Sequence, residues 1–562
     1  MSAAFARLKS MLPTRTDAGD AAFVSEPKAL RGWLDNLPLV NRGFALLRLH
    51  DMLREFNVTP IAARQRLSML AMFEGVAAGL VDDARNEARE FFPMSAERLE
   101  DARLASEIER DLALGYIAVV CELCAPSGEV SFLRRSVVAK ALTYACWHQG
   151  MRLWLASRTH RKPAEGVWRG LHDLFHFAIE CGCADQAKLA MADGMRASVR
   201  SVYAQALLHA FARPNQFTQQ QNRQLHASLP VLASWCDIRP GYAPPGAIAV
   251  YAAGDSSPPT LPRSGPVDAG DRWLLDIGPL LVQFEILLAA RGEASEVNVR
   301  ARRDNVRATL SVDTIEVLKR VWSERIEREF LRNPGVGMFE TEVGLPGLHT
   351  LLTGERDLDF VLPPIGEASG SVAGGAMRGP GSAAKYALAK VVDRSRRGYR
   401  LLWEVGEDAR ARVGELIALT ALGPKRPRQW SYGILRWLRA DPKLGIEAGV
   451  ELLPCVPVAV AVYAFDANGI ARAPVRGILV DSQDAGPKRS RDAGIWVSRP
   501  FTPDAVVIEV LRFDAGARED ASRPVRIATF SVRDAGLYQK IVLPDEALDR
   551  IVQPAMAATN PA

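Results

Sequence analysis

The sequence lacks the features that would place it in or beyond a membrane. Its first residues, MSAAFARLKSMLPTRTDAG, contain no continuous apolar run of the kind that forms the core of a signal peptide. The most lipid-like run, CVPVAVAVYAF at 455–465, is far shorter than the ~20 residues that span a bilayer. Cysteine is scarce, with seven in 562 residues, an odd number that indicates reduced thiols. We therefore expect a cytoplasmic protein that does not span a membrane.

A strong excess of either charge is also missing. The formal net charge is +5 over 562 residues, whereas a protein that binds duplex nucleic acid normally carries a concentrated basic stripe. Duplex DNA or RNA is therefore not expected as a partner. Basic residues are enriched locally, at 390–443, where they are about twice as numerous as acidic residues. This enrichment predicts a site for a small anion, with a solvated basic face as the alternative.

Most motifs of nucleotide-binding enzymes and hydrolases are absent. The chain has no P-loop, no G-x-S-x-G and no G-x-G-x-x-G behind a predicted strand. The glycine-rich run GGAMRGPG lacks the Lys-Ser/Thr pair of a phosphate-binding loop and is interpreted as a flexible linker. Cys121 and Cys124 form C-x-x-C without a second pair or a βαβ context, so they are predicted to be buried helical cysteines.

The stretch HDLFH is the strongest indication of an enzyme. His172 and His176 are four residues apart and share a helix face, as in the H-E-x-x-H helix of zinc hydrolases. Asp173 stands where the catalytic Glu would be and is one methylene shorter, and no third ligand is evident downstream. We predict packing residues and no metal site here, and keep a zinc-dependent hydrolase as an alternative.

The first 240 residues are predicted to be helical. Several runs, among them RLEDARLASEIERDLALGYIAVVCELC, repeat apolar residues at i, i+3, i+4 and i+7, and Ser95 precedes that run as a predicted N-cap. No strict repeat is visible, so an irregular helical module is expected at 25–240. A linker rich in Pro, Gly and Ser follows at 241–271, and connecting helices are expected at 272–312.

In the last third of the chain the apolar period changes to two. The runs YRLLWEV, ELIALTAL, SYGILRWLRA and GIEAGVELL alternate between turn residues, which is the pattern of a small antiparallel barrel. The barrel is placed at 313–454, with a Gly/Ser/Ala-rich insertion at 363–385 that is expected to be mobile. Runs such as VAVAVYAF and AVVIEVLRF predict more β structure at 455–562, as an extension or a second small domain. The expected fold is a multidomain α+β protein.

The stretch DRSRRG, at 393–398, opens the first convincing strand of this barrel. Its spacing, D-x-S-x-x-G, is compatible with a plain turn and equally with a cradle for a small polar ligand. Upstream, Arg328 and Arg332 form R-x-x-x-R where a helical pattern ends and a strand pattern begins. Other arginines, such as Arg303 and Arg307, have the same spacing, so position ahead of the barrel is what selects this pair.

Taken together, these patterns resemble a PilZ domain. The resemblance rests on R-x-x-x-R before the first strand, D-x-S-x-x-G opening the next, and the strands SYGILRWLR and GIEAGVELL, over about residues 313–454. The helical segments DLALGYIAVV and GVWRGLHDLF are similar to segments of a bacterial subfamily of large PilZ proteins, which carry a helical module ahead of the barrel. PilZ domains are bacterial receptors for the second messenger cyclic di-GMP and are built on a six-stranded β-barrel.

The resemblance implies a ligand site on the barrel and no chemistry on the ligand. Arg328 and Arg332 would bind the ligand, because guanidinium groups fork onto phosphate oxygens, reach guanine O6 and N7 and stack on purines. Asp393 would accept from guanine N–H groups, Ser395 would hydrogen-bond the base or a phosphate, and Gly398 would let backbone come close.

The expected function is therefore a non-enzymatic cyclic di-GMP receptor with no further cofactor, whose helical module presents an output surface to a protein partner. The family suggests type IV pilus, adhesion or cell-envelope machinery as the source of that partner. Three alternatives are a degenerate PilZ scaffold that does not bind nucleotide, a zinc hydrolase that uses His172 and His176, and a helical nucleic-acid adaptor. Calorimetry with cyclic di-GMP, metal analysis and salt-dependent mobility shifts distinguish them.

Overall fold

The chain divides into two compact units. The first comprises residues 1–88, 94–214 and 219–327, and the second comprises 89–93, 215–218 and 328–562. Arg328 and the insertion expected at 363–385 lie outside the residues that the structure describes. The structure, a computed structural model, describes residues 2–14, 26–81, 91–190, 194–240, 248–250, 255, 273–292, 294–323, 332–353, 386–423, 429–481, 493–498, 501, 505–513, 524–535 and 537–552.

The first unit is mainly helical, as the apolar repeats predicted. Its helices are α1 (Ala3–Ser10), α2 (Pro27–Asp35), α3 (Arg42–Val58), α4 (Ala63–Val81), α5 (Ala96–Leu123), α6 (Arg135–Arg158), α7 (Val167–Glu180), α8 (Val199–Phe211), α9 (Gln219–Ala233), α10 (Gly278–Ala290) and α11 (Val312–Ser323). The predicted N-cap of α5 is confirmed, since Ser95 Oγ accepts a hydrogen bond from Arg98 N at 3.3 Å. Among the described helices, none is long and apolar enough to cross a membrane.

Helices α5 and α6 lie at the centre of this unit, as shown by the buried residues on most of their faces. Ile108, Ile117, Val119 and Val120 of α5 are fully buried, and together they point in several directions around the helix axis. A helix with this distribution belongs to a core rather than to a surface. Each such aliphatic side chain contributes about 1.5–3 kcal/mol when it leaves water.

A cluster of polar side chains lies within this core, between α4, α5 and α6. His148 Nδ1 is 2.6 Å from Glu109 Oε2 and its Nε2 is 3.2 Å from Glu74 Oε1, while Tyr116 donates its hydroxyl proton to Glu74. Burial acts to lower the pKa of His148, but the charge of Glu109 and hydrogen bonds to both carboxylates outweigh it and raise the pKa to about 9. His148 is therefore a buried cation at neutral pH.

Short strands also occur in the first unit. They pair as β1 with β2, as a three-stranded sheet in the order β3-β5-β4, and as the hairpin β6–β7. The strands are β1 (Leu189–Ala190), β2 (Arg196–Ala197), β3 (Asp237–Pro240), β4 (Ile248–Val250), β5 (Trp273–Asp276), β6 (Glu296–Arg300) and β7 (Arg307–Ser311).

The expectation of connecting helices alone at 272–312 was wrong in its secondary structure. Besides α10, this range contains the strands β5, β6 and β7. In the run WLLDIGPLLVQFEILLAARG the apolar residues continue from β5 into α10, so periodicity could not separate a four-residue strand from the helix. Pairing of β5 with β3 and β4 decides its conformation.

The second unit contains the small antiparallel barrel that the two-residue period predicted. Strand β9 pairs with β10, β10 with β11, β11 with β14, β14 with β13, β13 with β12, and β12 returns to β9. Six strands thus close on themselves, and the short β8 pairs with β10. The strands are β8 (Asn333–Pro334), β9 (Met338–Val343), β10 (Ala387–Ser395), β11 (Gly398–Trp403), β12 (Leu416–Ala421), β13 (Ser431–Asp441) and β14 (Gly445–Leu452).

A seven-stranded antiparallel sheet in the same unit forms the C-terminal β structure, in the order β19-β18-β15-β16-β17-β21-β20. Helix α12 inserts Leu345 and Leu348 into a core that contains barrel residues such as Ile434 and sheet residues such as Ile478. The C-terminal sheet is therefore packed on the barrel. The elements are α12 (Leu345–Thr353), β15 (Val458–Phe465), β16 (Val475–Val480), β17 (Gly494–Ser498), β18 (Val507–Arg512), β19 (Val525–Ile527), β20 (Ser531–Ala535), β21 (Tyr538–Val542) and α13 (Asp545–Val552).

Candidate ligand site on the barrel

The stretch DRSRRG forms the tip of the β10–β11 hairpin. Asp393 and Ser395 lie in β10, Gly398 begins β11 opposite Ser395, and Arg396 and Arg397 form the two-residue turn. The expectation that Asp393 opens a strand was therefore wrong, because Asp393 lies near the end of one. The strand ahead of it was missed since its alternation, ALAKVV, is short and follows a glycine-rich stretch.

Strand β8 brings Arg332 next to Asp393. Pro334 in β8 pairs with Asp393 in β10, and Gly335 N donates a hydrogen bond to Val392 O at 3.0 Å. A Cβ on Gly335 would collide with β10, so this approach requires glycine. Arg332, the residue before β8, donates from Nη1 to Asp393 Oδ1 at 2.7 Å although 61 positions separate the two in sequence.

The Arg332–Asp393 pair continues as a series of charged side chains across the outer face of the barrel. Arg400 Nη1 is 3.6 Å from Asp393 Oδ2, and Arg400 Nε donates to Glu447 Oε1 at 2.5 Å. Arg439 Nη1 is 3.6 Å from Glu447 Oε2. We call these five residues the arginine–carboxylate row. The carboxylates are its most shielded members, with side chains 18% exposed for Asp393 and 15% for Glu447, so they orient the three guanidinium groups.

Further arginines surround the row. Arg394, Arg396 and Arg397 on the hairpin are exposed. Within the described part of the chain, neither Arg394 nor Arg396 has an ion-pair partner. Arginines therefore outnumber carboxylates here, and the local potential favours an anionic ligand.

Ser395 and Gly398 face each other across the hairpin. Ser395 Oγ is 3.4 Å from Gly398 O, which is a weak hydrogen bond that a better partner can replace. A Cβ on Gly398 would collide with the carbonyl oxygen of Val450 in β14. Glycine is therefore required at position 398 because the backbone of the neighbouring strand β14 comes close to it.

Replacing Gly398 by Ala should lower the free energy of unfolding of the second unit by about 1–3 kcal/mol, because β14 must shift to admit the methyl group. Thermal and denaturant unfolding measure the change. Gly423→Ala is a matched control, since a Cβ there would meet no atom within 4 Å, and its effect should stay within about 0.5 kcal/mol. Equal stability of the two variants would contradict the strand-packing role of Gly398.

Sequence reasoning did not single out Arg400 or Glu447. The signal for both was alternation: Glu447 stands between the buried Ile446 and Ala448, and Arg400 is followed by the fully buried Leu401. That pattern marks an outward-facing side chain. It does not say which outward-facing residues meet, because that depends on the pairing of β11 with β14.

The HDLFH residues in α7 make contacts within the helical core. His172 Nδ1 is 2.6 Å from the hydroxyl of Tyr203, and its ring stacks on Trp168 at a centroid distance of 5.6 Å. Asp173 accepts from Arg7 Nε at 2.5 Å. Burial, with a contribution from the charge of Arg7, lowers the pKa of His176. Among the described residues, no group of three or more His, Cys, Asp or Glu is arranged to hold a metal ion.

Comparisons with known proteins relate both units to one family. Residues 28–243 match the family model described as "Cyclic-di-GMP receptor FimW, N-terminal domain", and residues 376–457 match "Cyclic-di-GMP receptor FimW, middle PilZ domain". The curated "Cyclic-di-GMP receptor FimW" of Pseudomonas aeruginosa strain PAO1 is 25% identical over 506 residues, with 79% of this chain and 80% of the relative covered. No solved structure gives a significant match.

The matched PilZ range contains Asp393, Ser395 and Gly398, and it covers β10 to β14. Arg332 precedes this range and reaches it through β8. The helical module ahead of a six-stranded antiparallel barrel agrees with the order of the two matched models. The chain belongs to the family of PilZ-domain cyclic di-GMP receptors that carry a helical N-terminal module.

Proposed function

We propose that this chain is a non-catalytic receptor that binds cyclic di-GMP at the arginine–carboxylate row and relays binding to a protein partner through its helical module. The observation that carries the proposal is the Arg332–Asp393 ion pair. It brings Arg332, the second arginine of R-x-x-x-R, next to Asp393, the first residue of D-x-S-x-x-G. The curated relative, named a cyclic-di-GMP receptor, supports the choice of ligand.

The chemistry of the row suits the ligand. A phosphate of the ligand can replace Asp393 as the acceptor of the Arg332 guanidinium and form a bidentate, charge-assisted contact with it. Asp393, partly released, has two acceptor oxygens for the adjacent N–H donors on the Watson–Crick edge of guanine. Ser395 can exchange its 3.4 Å contact with Gly398 O for a ligand oxygen. Arg328, four positions before Arg332, would supply a second guanidinium.

A receptor role fits the residue types of the row. Its guanidinium groups stay protonated and do not act as bases, and Asp393 and Glu447 both face arginines, which favours their role as acceptors. The ligand should therefore be released unchanged. We assign the protein to the cytoplasm, in keeping with seven cysteines, all within the described residues, none of which forms a disulfide.

Relay to a protein partner is supported by apolar side chains on the surface of the first unit. Leu39 and Val40 precede α3, Phe44 and Leu47 lie in its first two turns, and each of the four is at least 42% exposed. Clustered large apolar side chains on a surface are typical of protein contacts.

Calorimetric titration of the full chain with cyclic di-GMP tests the proposal. We expect saturable binding with a Kd in the micromolar range or below, which corresponds to about −8 kcal/mol or better. Recovery of intact ligand after incubation tests the absence of catalysis. If no heat of binding is seen at high micromolar ligand, the receptor proposal is wrong and the alternative of a degenerate PilZ scaffold replaces it.

A further inference from the structure

The sequence Cys181-Gly182-Cys183 forms the turn that ends α7. Cys181 follows the last residue of the helix, and Gly182 has a φ of 66°, a left-handed conformation that favours glycine. Cys183 N donates to Ala178 O at 2.8 Å and Gly182 N donates to Ile179 O at 3.0 Å, so the chain folds back onto the end of the helix. Because consecutive Cα atoms are about 3.8 Å apart, such a turn keeps the two cysteines within the roughly 4.4–6.8 Å Cα separation that a disulfide spans.

The two thiols of this turn contact each other. They share a hydrogen bond in which Cys181 is the donor, and Cys183 Sγ also lies 3.7 Å from the carbonyl oxygen of Cys181. The hydrogen bond from Cys181 lowers the pKa of the Cys183 thiol against the opposing effect of burial, and the charge of Arg135 adds to the lowering. A thiolate is therefore favoured at Cys183, next to a second sulfur that holds a proton.

The remaining cysteines, all of them within the described residues, are of a different kind. Burial raises the pKa of four of them, which makes a thiol unreactive; they are Cys124, Cys146, Cys236 and Cys455. In the turn, by contrast, Cys181 is partly exposed while Cys183 is fully buried. Cys181 is therefore the sulfur that a reagent from solution meets first, and Cys183 is placed to react with it afterwards.

We propose that Cys181 and Cys183 form a redox-active dithiol, which a small disulfide such as oxidised glutathione converts into an intramolecular disulfide. The proton of Cys181 moves along the hydrogen bond to Cys183, and Cys181 attacks one sulfur of the small disulfide and displaces a thiolate. Cys183 then loses its proton and attacks the mixed disulfide at Cys181, which releases the second thiolate. The two thiolates take up the two protons, so the dithiol is oxidised and the small disulfide is reduced to two thiols.

Alkylation and mass spectrometry of the full chain test the proposal. Trypsin releases both cysteines in one peptide, 170–188, which contains no other cysteine. After incubation of the folded protein with oxidised glutathione and alkylation under denaturing conditions, this peptide should carry no alkyl group and should be lighter than the reduced peptide by two hydrogen atoms. The peptide 111–134, which contains Cys121 and Cys124, is the internal control. Both of its cysteines are buried, so both should remain thiols and be alkylated.

Two serine variants identify the order of the two steps and the partner. Cys183→Ser should stop the reaction at the mixed disulfide, so that Cys181 retains one glutathione, whereas Cys124→Ser should form the disulfide as the wild-type protein does. A 170–188 peptide that is alkylated on both cysteines after oxidation of the wild-type protein would overturn the proposal, and so would a disulfide that joins Cys183 to Cys124. The measurement on the wild-type protein decides even where a serine variant does not fold.

Discussion

Arg332→Ala and Asp393→Ala should each weaken cyclic di-GMP binding about ten- to a hundredfold, while the melting temperature hardly changes. The loss of affinity follows from removal of a charge-assisted contact, which contributes about 1.5–3 kcal/mol. The small effect on stability follows because a partly exposed ion pair stabilises the folded state by only ~0–1 kcal/mol. Calorimetry gives the affinity, and thermal unfolding of the same samples gives the stability. Arg328→Ala should weaken binding to a similar extent.

Arg303→Ala is the control for this series. Arg303 and Arg307 have the same R-x-x-x-R spacing but lie in the first unit, so this change should leave the affinity as it is. The double variant of Arg332 and Asp393 adds a further distinction. If the two single losses of binding free energy do not add up in the double variant, Asp393 acts by orienting Arg332. If they do add up, each residue contacts the ligand. If Arg303→Ala is as damaging as Arg332→Ala, the assigned site is wrong.

His148→Ala should destabilise the helical unit by about 3–5 kcal/mol at neutral pH, because it leaves the carboxylate of Glu109 buried without its cation. Both side chains are only 6% exposed, so water cannot replace the lost partner. Denaturant unfolding followed by the helical signal in circular dichroism measures the difference from wild type.

The same ion pair predicts a pH dependence. The pKa of His148 is raised from its ordinary value of 6.5 to about 9 in the folded protein. Because the folded value is the higher one, the stabilisation is complete below about pH 6.5 and is lost as the pH rises through about 9. The stability difference between wild type and His148→Ala should therefore shrink between neutral pH and pH 10.

His209→Ala is the matched control for the pH series. His209 is also buried, but burial lowers its pKa to about 4, so it is neutral across this whole range. Its replacement should cost stability by an amount that does not vary between neutral pH and pH 10. A constant difference for His148→Ala as well would show that its imidazole is not held as a cation.

Local patterns in the sequence were sufficient for the main elements of the fold. The long helix α5 followed from its apolar repeat and from Ser95, because a helix forms its hydrogen bonds within one segment. The barrel strands β11, β12, β13 and β14 followed from alternation between turn residues. Strand β5 and the strand β10 were missed, because short or weakly alternating segments take their conformation from the strands beside them.

The sequence by itself determined the helical and β halves of the chain, the motifs Arg328/Arg332 and DRSRRG, and the resemblance to a PilZ domain. Only the tertiary structure decided which side chains meet. Arg332 reaches Asp393 because β8 pairs with β10, and Arg400 reaches Glu447 because β11 pairs with β14. These contacts join residues that are far apart in the chain, up to 61 positions. The apolar repeat and the secondary-structure propensity each describe one segment of the chain at a time. The register between strands, which brings the residues of the candidate site together, is set only when the strands pair to close the barrel.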